Sequence, residues 1–155
     1  METEPGHVSP AEIVRLKADD LPSLGKLLTD NGLPADDCVG EQNQFFGIFE
    51  NHRLIAAGGL EVADSYCLLR SLVVAPKYRG GGLALMITVH LLSEARARKS
   101  GAVYLLTETA AAYFENIGFC KLPRAEVPAA IAATRQFADL CPDSAECLML
   151  QLAES

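Results

Sequence analysis

Tyr78 to Ala84 reads YRGGGLA, three consecutive glycines between an apolar run, CLLRSLVV, and a long run of helical periodicity, LALMITVHLLSEARARK. Glycine loosens a chain more than any other residue, so its concentration at a strand-to-helix junction limits what the junction can be. Two readings are open. The glycines form a flexible or tight corner, or they let an anion approach the unpaired N–H groups and positive dipole end of the helix with no Cβ in the way. In the second reading each charge-assisted contact is worth roughly 1.5–3 kcal/mol, so several hold a pyrophosphate. Lys77 and Arg79 add local positive charge. Two familiar phosphate loops do not fit: no GK followed by Ser or Thr comes after the glycines, and Leu85 stands where GxGxxG needs its third glycine.

Local charge matters because the chain as a whole carries a formal charge of -7. That balance argues against nucleic acid as a partner, since phosphate backbones are bound by clustered Lys and Arg. The length of 155 residues fits one domain, residues 1–155, with enough apolar content for a core. No window offers the roughly 18 uninterrupted apolar residues of a membrane span, so no membrane partner is expected. The start, METEPGHVSPAEI, has no basic segment leading into an apolar stretch, and the expected compartment is the cytoplasm. Five cysteines, Cys38, Cys67, Cys120, Cys141 and Cys147, are an odd number with no CxxC pair. With His7, His52 and His90 scattered singly, neither a disulfide framework nor a metal site is expected.

Periodicity orders the rest. AEIVRLK reads as a first strand, and Asp19 or Asp20 as the cap of a helix through LPSLGKLL that ends at DNG, with Pro22 tolerated in its first turn. ADDCVGEQNQ lacks a period and reads as loop or irregular helix. QFFGIFE, a turn at Asn51 and His52, RLIAAGGLEV and SYCLLRSLVV predict three adjacent antiparallel strands. In the helix after the glycines, Leu83, Ile87, Leu91 and Ala95 recur at four-residue steps, and Arg96, Arg98 and Lys99 precede a stop at Gly101. AVYLLT predicts a buried strand, AAAYFENIG a short helix closed by Gly118, FCKL a brief strand, VPAAIAATRQFADL a helix and AECLMLQL the closing strand. The order is βα, a β-meander, then αβαβαβ, an α/β chain of the α+β kind.

At this point the residues resemble a family. LVVAPKYRGGGLALMI is similar to the acetyl-CoA signature of the GNAT N-acetyltransferases, whose Q/R-x-x-G-x-G/A pattern is met by Arg79, Gly82 and Ala84. TETAAAYFENIGF resembles the family's second block, NxxAxxFYxxxGF, with Ala110, Gly118 and Phe119 in register. The resemblance covers roughly residues 44 to 122. It implies the GNAT fold, a mixed, mostly antiparallel central sheet of six to seven strands flanked by helices, with a splayed strand pair that admits acetyl-CoA. It implies that backbone groups of Leu72, Val73 and Val74 bind the pantetheine arm. The pyrophosphate would be held by backbone N–H groups of Arg79, Gly80, Gly81, Gly82, Leu83 and Ala84, with Phe114 beside the cofactor. The implied reaction is direct attack of a neutral amine on the thioester, assisted by a base and an acid. The implied partner is a small-molecule amine, and a homodimer is compatible with the family. The C-terminal VPAAIAATRQFADLCPDSAECLML, taken with LLRSLVVAP and LLTETAAAYFENIGF, further resembles a subgroup associated with arsenic-resistance operons. That implies acetylation of an anionic amino-acid analogue, such as an arsenic- or phosphorus-containing mimic of glutamate, with Cys141 and Cys147 as thiols for trivalent arsenic or as inert buried residues.

The departures from the family pattern carry as much weight. Leu68 and Arg70 stand on the signature strand where many relatives carry Glu. Phe114 stands where the usual tyrosine acid would be. Tyr113, one residue earlier, points about 100° away on a helix, and it is the candidate acid. Glu61, expected beside the signature strand, is the candidate base, directly or through water; Glu108 and Glu41 are the other nearby acids. Missing acid and base groups would also suit an acetyl-CoA-binding sensor that has lost catalysis. Arg70 interrupts a strand apolar on both faces, where a guanidinium is costly unless paired. It either forms an internal salt bridge with Glu61 or another acid, or reaches the acceptor and holds its carboxylate.

Overall fold

The computed structural model describes residues 12–38, 40–140 and 144–152. Strand β1 is the pair Val14–Arg15, and a 3-10 turn at Ala18–Asp20 leads into helix α1, Leu21–Asp30. The expected first strand is therefore only a two-residue edge. The expected cap also differs: Asp20 precedes α1 in a helical conformation, and its carboxylate accepts from the Lys17 N–H at 2.8 Å, closing the turn before the helix. In α1, Leu24, Leu27 and Leu28 fall on one buried face. Burying a leucine completely, as at Leu24 and Leu28, contributes about 1.5–3 kcal/mol.

The meander is present as the alternation predicts. β2 (Asn43–Glu50), β3 (Arg53–Ala63) and β4 (Tyr66–Val74) pair antiparallel in sequence order. Asn51 and His52 take φ of 52° and 67°, the two positive values of a type I′ hairpin turn. In the β3–β4 ladder Ala57 faces Val73 and Gly59 faces Arg70, so Gly58 alone opposes both Ser71 and Leu72. That extra residue is a β-bulge, and Ser71 sits in it at φ 58°.

Helix α2 runs Leu83–Ala97 and packs on β3 and β4. A Cβ on Gly58 would come within 2.7 Å of the Ile87 side chain, so the small residue lets α2 lie against the sheet. The helix stops earlier than Gly101. Lys99 turns left-handed at φ 63°, while its N–H bonds to Arg96 O and that of Ser100 to Ala95 O, a Schellman ending.

β5 (Ala102–Thr107), α3 (Ala111–Ile117), β6 (Cys120–Lys121), α4 (Ala129–Ala132) and β7 (Glu146–Gln151) complete the chain. The helix expected over VPAAIAATRQFADL is broken in two. Thr134 Oγ1 donates to Ile131 O at 2.7 Å and its N–H bonds the same carbonyl, so the turn tightens after α4 and resumes only as a π turn at Gln136–Leu140. The sheet order is β1-β2-β3-β4-β5-β7-β6, seven strands with β4 and β5 as the parallel neighbours. One face carries the cluster built around Ile87 and Leu91 of α2 and Phe114 of α3. The other carries the α1 cluster and a second cluster of Leu68, Tyr104, Ile131 and Phe137. This is the mixed, mostly antiparallel sheet flanked by helices that the sequence leads one to expect.

Candidate active site

The site begins where the sheet fails to close. β4 and β5 pair only at Cys67 with Val103 and Leu68 with Tyr104. Beyond those pairs the strands part, and a cleft of about 1330 Å³ opens between them. β4 stays paired to β3 on its other edge, Val73 with Ala57 and Val74 with Ala56. The free edge of Leu72, Val73 and Val74 therefore presents backbone polar groups to the cleft, which these residues line.

At one end of the cleft lies the glycine loop. Gly80 and Gly82 take φ of 87° and 86°, values that a residue with a side chain adopts only with strain. Gly82 is the N-cap of α2, and a Cβ built there or on Gly80 meets nothing within 4 Å. The first N–H groups of α2 thus face open space. Gly80, Gly82, Leu83 and Ala84 line the cleft, whereas Gly81 contributes through the loop's course. Arg79 donates from Nε to Val74 O at 2.9 Å and from Nη2 to Asn31 Oδ1 at 2.7 Å, which pins its positive charge beside the loop. The arrangement can hold a multiply charged anion despite the acidic chain.

Tyr113 and Phe114, on α3, both line the middle of the cleft. Phe114 is buried against Phe119, ring centroids 5.6 Å apart, and serves as packing. Tyr113 is 38% exposed, and Thr88 of α2 lies beside its hydroxyl, donating its own proton to Ala84 O at 2.8 Å. Burial pushes the phenol above its ordinary range, with the Thr88 contact opposing. Tyr113 is thus protonated at neutral pH and able to donate. Thr107, at the end of β5, accepts from the Ala110 N–H at 3.0 Å and holds the turn into α3.

The far end of the cleft is floored by a buried polar network around Arg70, whose side chain is 1% exposed. Its Nε donates to Ser71 Oγ at 3.2 Å. Nη1 donates to Asn43 Oδ1 at 3.1 Å, Asp37 O at 3.2 Å and Glu61 Oε1 at 3.3 Å. Nη2 donates to Asp37 Oδ1. Gln136 Nε2 donates to the other oxygen of the same carboxylate at 3.3 Å. The internal salt bridge open in the sequence is present, and it has two acids rather than one. Arg70 and Gln136 line the cleft, whereas Glu61 stands behind the guanidinium and does not. Burial pushes the Glu61 carboxyl up, and Arg70 pulls in the opposite direction. Glu108, exposed at the rim after β5, is the carboxylate that lines the cleft among the described residues; Glu41 does not.

Sequence reasoning brought Arg70, Tyr113 and the glycine loop to one cleft but missed Asp37, Asn43 and Gln136. Asp37 falls in the aperiodic ADDCVGEQNQ, where no register says which side chain turns inward. Gln136 falls in a segment read as regular helix.

Among the described residues no cysteine lines the cleft. Among the described residues no three His, Cys, Asp or Glu side chains cluster as metal ligands. Cys141 lies outside the described residues. Cys147 is buried, and burial pushes its thiol up to about 11, with Arg124 opposing. Alkylation by iodoacetamide near neutral pH should therefore label exposed Cys120 and leave Cys147 unmodified until the protein unfolds. Peptide mass mapping with native labelling of Cys147 would contradict this.

Residues 41–121 match the family model of the acetyltransferase (GNAT) domain. Among solved structures, N-acetylglutamate synthase of Neisseria gonorrhoeae, complexed with coenzyme A and N-acetyl-glutamate, shares 15% identity over 95% of this chain at a TM-score of 0.77; the chain spans only 36% of it. The Rv2747 protein of Mycobacterium tuberculosis, in complex with CoA, shares 19% identity at a TM-score of 0.76, with 92% of this chain and 99% of that one covered. An acetyltransferase of the GNAT family from Staphylococcus aureus shares 16% identity at 0.75, with 93% and 100% covered. At such identities the likeness is one of fold. No curated protein sequence matches the chain.

Proposed function

Because the chain belongs to the GNAT acetyltransferase family, we propose that it is an N-acetyltransferase that moves the acetyl group of acetyl-CoA to the primary amine of a small molecule. One observation carries the reading: β4 and β5 part after two residue pairs, at the point where a glycine-headed helix turns its free N–H groups into the gap. Two of the solved relatives that share this fold hold coenzyme A. In this chain the pyrophosphate would lie on the first turn of α2 beside Arg79, and the pantetheine arm along Leu72 to Val74.

The thioester would then lie by the β4 bulge, with the acceptor at the end floored by Arg70. The amine nitrogen attacks the carbonyl carbon, a C–N bond forms, the C–S bond breaks, and the amine proton and the thiolate's new proton balance. A neutral amine already carries the lone pair it needs. Positioning and backbone polarisation of the thioester therefore supply most of the rate. Tyr113 is the candidate proton donor to the thiolate. Tyr113→Phe is expected to lower kcat by less than about 100-fold, the low end of what a positioned acid contributes. A far larger loss, with folding and acetyl-CoA affinity intact, would show instead that Tyr113 has taken over the family's acid role from the position of Phe114. Glu61 would have to act as base through Arg70's surroundings or water, since it does not line the cleft.

The finer expectation is an anionic amino-acid analogue in arsenic or toxin resistance. It is supported by the resemblance of the C-terminal blocks and by a fold relative that carries N-acetyl-glutamate. Against direct recognition by Arg70 stands the commitment of its guanidinium to Asp37 and Glu61. The second reading, an acetyl-CoA-binding sensor, is favoured by the absence of any carboxylate but Glu108 from the cleft lining among the described residues. Thiol release from acetyl-CoA across a panel of primary amines, amino acids and glutamate mimics separates the two. Binding of acetyl-CoA with no release for any amine would sink the enzyme reading.

A further inference from the structure

Asp37 is the point where three separated pieces of chain meet. It lies between α1 and β2 and is 7% exposed. One carboxylate oxygen takes the Arg70 Nη2 hydrogen bond from β4, and the other takes Gln136 Nε2 from the π turn near the C-terminus. Its carbonyl is held as well, by Arg70 Nη1 at 3.2 Å and Asn43 Nδ2 at 3.4 Å. Upstream of Asp37, Leu33 and Pro34 line the cleft as one wall, and Gln136 and Ala145, from the C-terminal part, line it as another. Neither wall belongs to the sheet, so neither has ladder hydrogen bonds to fix it. The carboxylate of Asp37 spans between them.

We propose that Asp37 is a positioning residue: anchored by Arg70, it latches the 33–38 wall to the Gln136 wall and so sets the width that the acceptor amine finds. The inference rests on the acetyltransferase reading for what the cleft receives. The latch itself has a physical consequence independent of turnover. A charged acceptor with two buried, charge-assisted donors holds its partners more firmly than neutral contacts do. A pre-set wall also spares the acceptor the cost of ordering it on binding. Arg70 then acts on the acceptor through Asp37 rather than by touching it.

The test uses Gln136→Leu, which cuts the contact to Asp37 from the far wall, and Asp37→Asn, which keeps an oxygen for Arg70 but removes the charge. Hydrogen exchange of the full chain is read first. Both variants should lose protection roughly tenfold or more in 35–38 and in 136–140 together, while 83–86 at the head of α2 is unchanged. A loss confined to one wall, or none, overturns the latch, and Gln136→Leu decides the matter if Asp37→Asn does not fold. Kinetics with L-glutamine and L-glutamate as probe amines gives a second readout. Loss of the latch raises KM for both by a similar factor, about five- to tenfold, with KM for acetyl-CoA within about twofold. A change confined to L-glutamate means that Arg70 binds the acidic side chain directly, and overturns the proposal. A parent protein that binds coenzyme A yet acetylates no amine sinks the acetyltransferase reading alone, and the exchange result still upholds or overturns the latch.

Discussion

Gly82→Val is expected to weaken coenzyme A binding by at least about 100-fold, equivalent to losing one or two charge-assisted contacts. Gly82 stands at φ 86°, where a β-branched residue is strained, and it caps the helix whose N–H groups face the cleft. The added side chain would meet no protein atom within 4 Å of its Cβ, so the damage is to the approach of an anion rather than to the core. Strain at such a position costs about 1–3 kcal/mol, which the variant can survive while remaining folded. Gly25→Ala is the matched control. Gly25 lies inside α1, with open space for a Cβ and no positive φ, so the change should leave binding intact and stabilise the helix by roughly 0.5–1 kcal/mol. Titration calorimetry with coenzyme A, with circular dichroism as the check on folding, reads both. A folded Gly82→Val that binds like the parent would remove the glycine loop from the cofactor site.

Arg70→Ala should destabilise the protein by about 3–5 kcal/mol, because it leaves the Asp37 and Glu61 carboxylates buried without their cation. For a chain of this length that is a drop in Tm of roughly 10 °C. The pH dependence has a definite sign. Burial already holds the Glu61 carboxyl above its ordinary range and Arg70 opposes that rise, so removing Arg70 raises it further. A carboxyl raised in the folded state contributes stability that is complete below its unfolded value and is lost as pH climbs through the folded one. The deficit should therefore be smaller at about pH 5 than at about pH 8 when urea midpoints are compared. Equal deficits at the two pH values, or a variant as stable as the parent, would mean that the network is not a buried charge cluster.

The parts of this protein that were legible from sequence are those where a period ties each side chain to a face. QFFGIFE and RLIAAGGLEV alternate, and Asn51 and His52 tolerate the positive φ their turn imposes. Four-residue spacing placed Ile87, Leu91 and Ala95 in the core. The gap between β4 and β5 was foreseen only through the family resemblance, since neither SYCLLRSLVV nor AVYLLT says how many of its residues pair. The polar floor was half visible. Arg70 stood out because a guanidinium in an apolar strand must find a carboxylate, and Glu61 was nameable because it lies on the next strand. Asp37 was not nameable, being thirty-three positions away in a stretch with no register. The break after α4 was hidden for another reason. Thr134 satisfies the Ile131 carbonyl with its own side chain, a local choice that helical periodicity cannot report.

The seam at Cys67–Val103 and Leu68–Tyr104 also has a mechanical meaning. It divides the sheet into two panels, β1 to β4 on one side and β5, β7 and β6 on the other. On either side of the seam the neighbouring ladders are long, β3 with β4 and the six pairs of β5 with β7 from Ala102–Gln151 to Thr107–Glu146. Across the seam there are two pairs. The two panels are weakly tied along that line, and a force drawing them apart meets its main resistance from side-chain packing and from whatever fills the gap. A molecule lying in the cleft would then be a strut as well as a reactant, bridging two panels that the backbone joins by only two residue pairs.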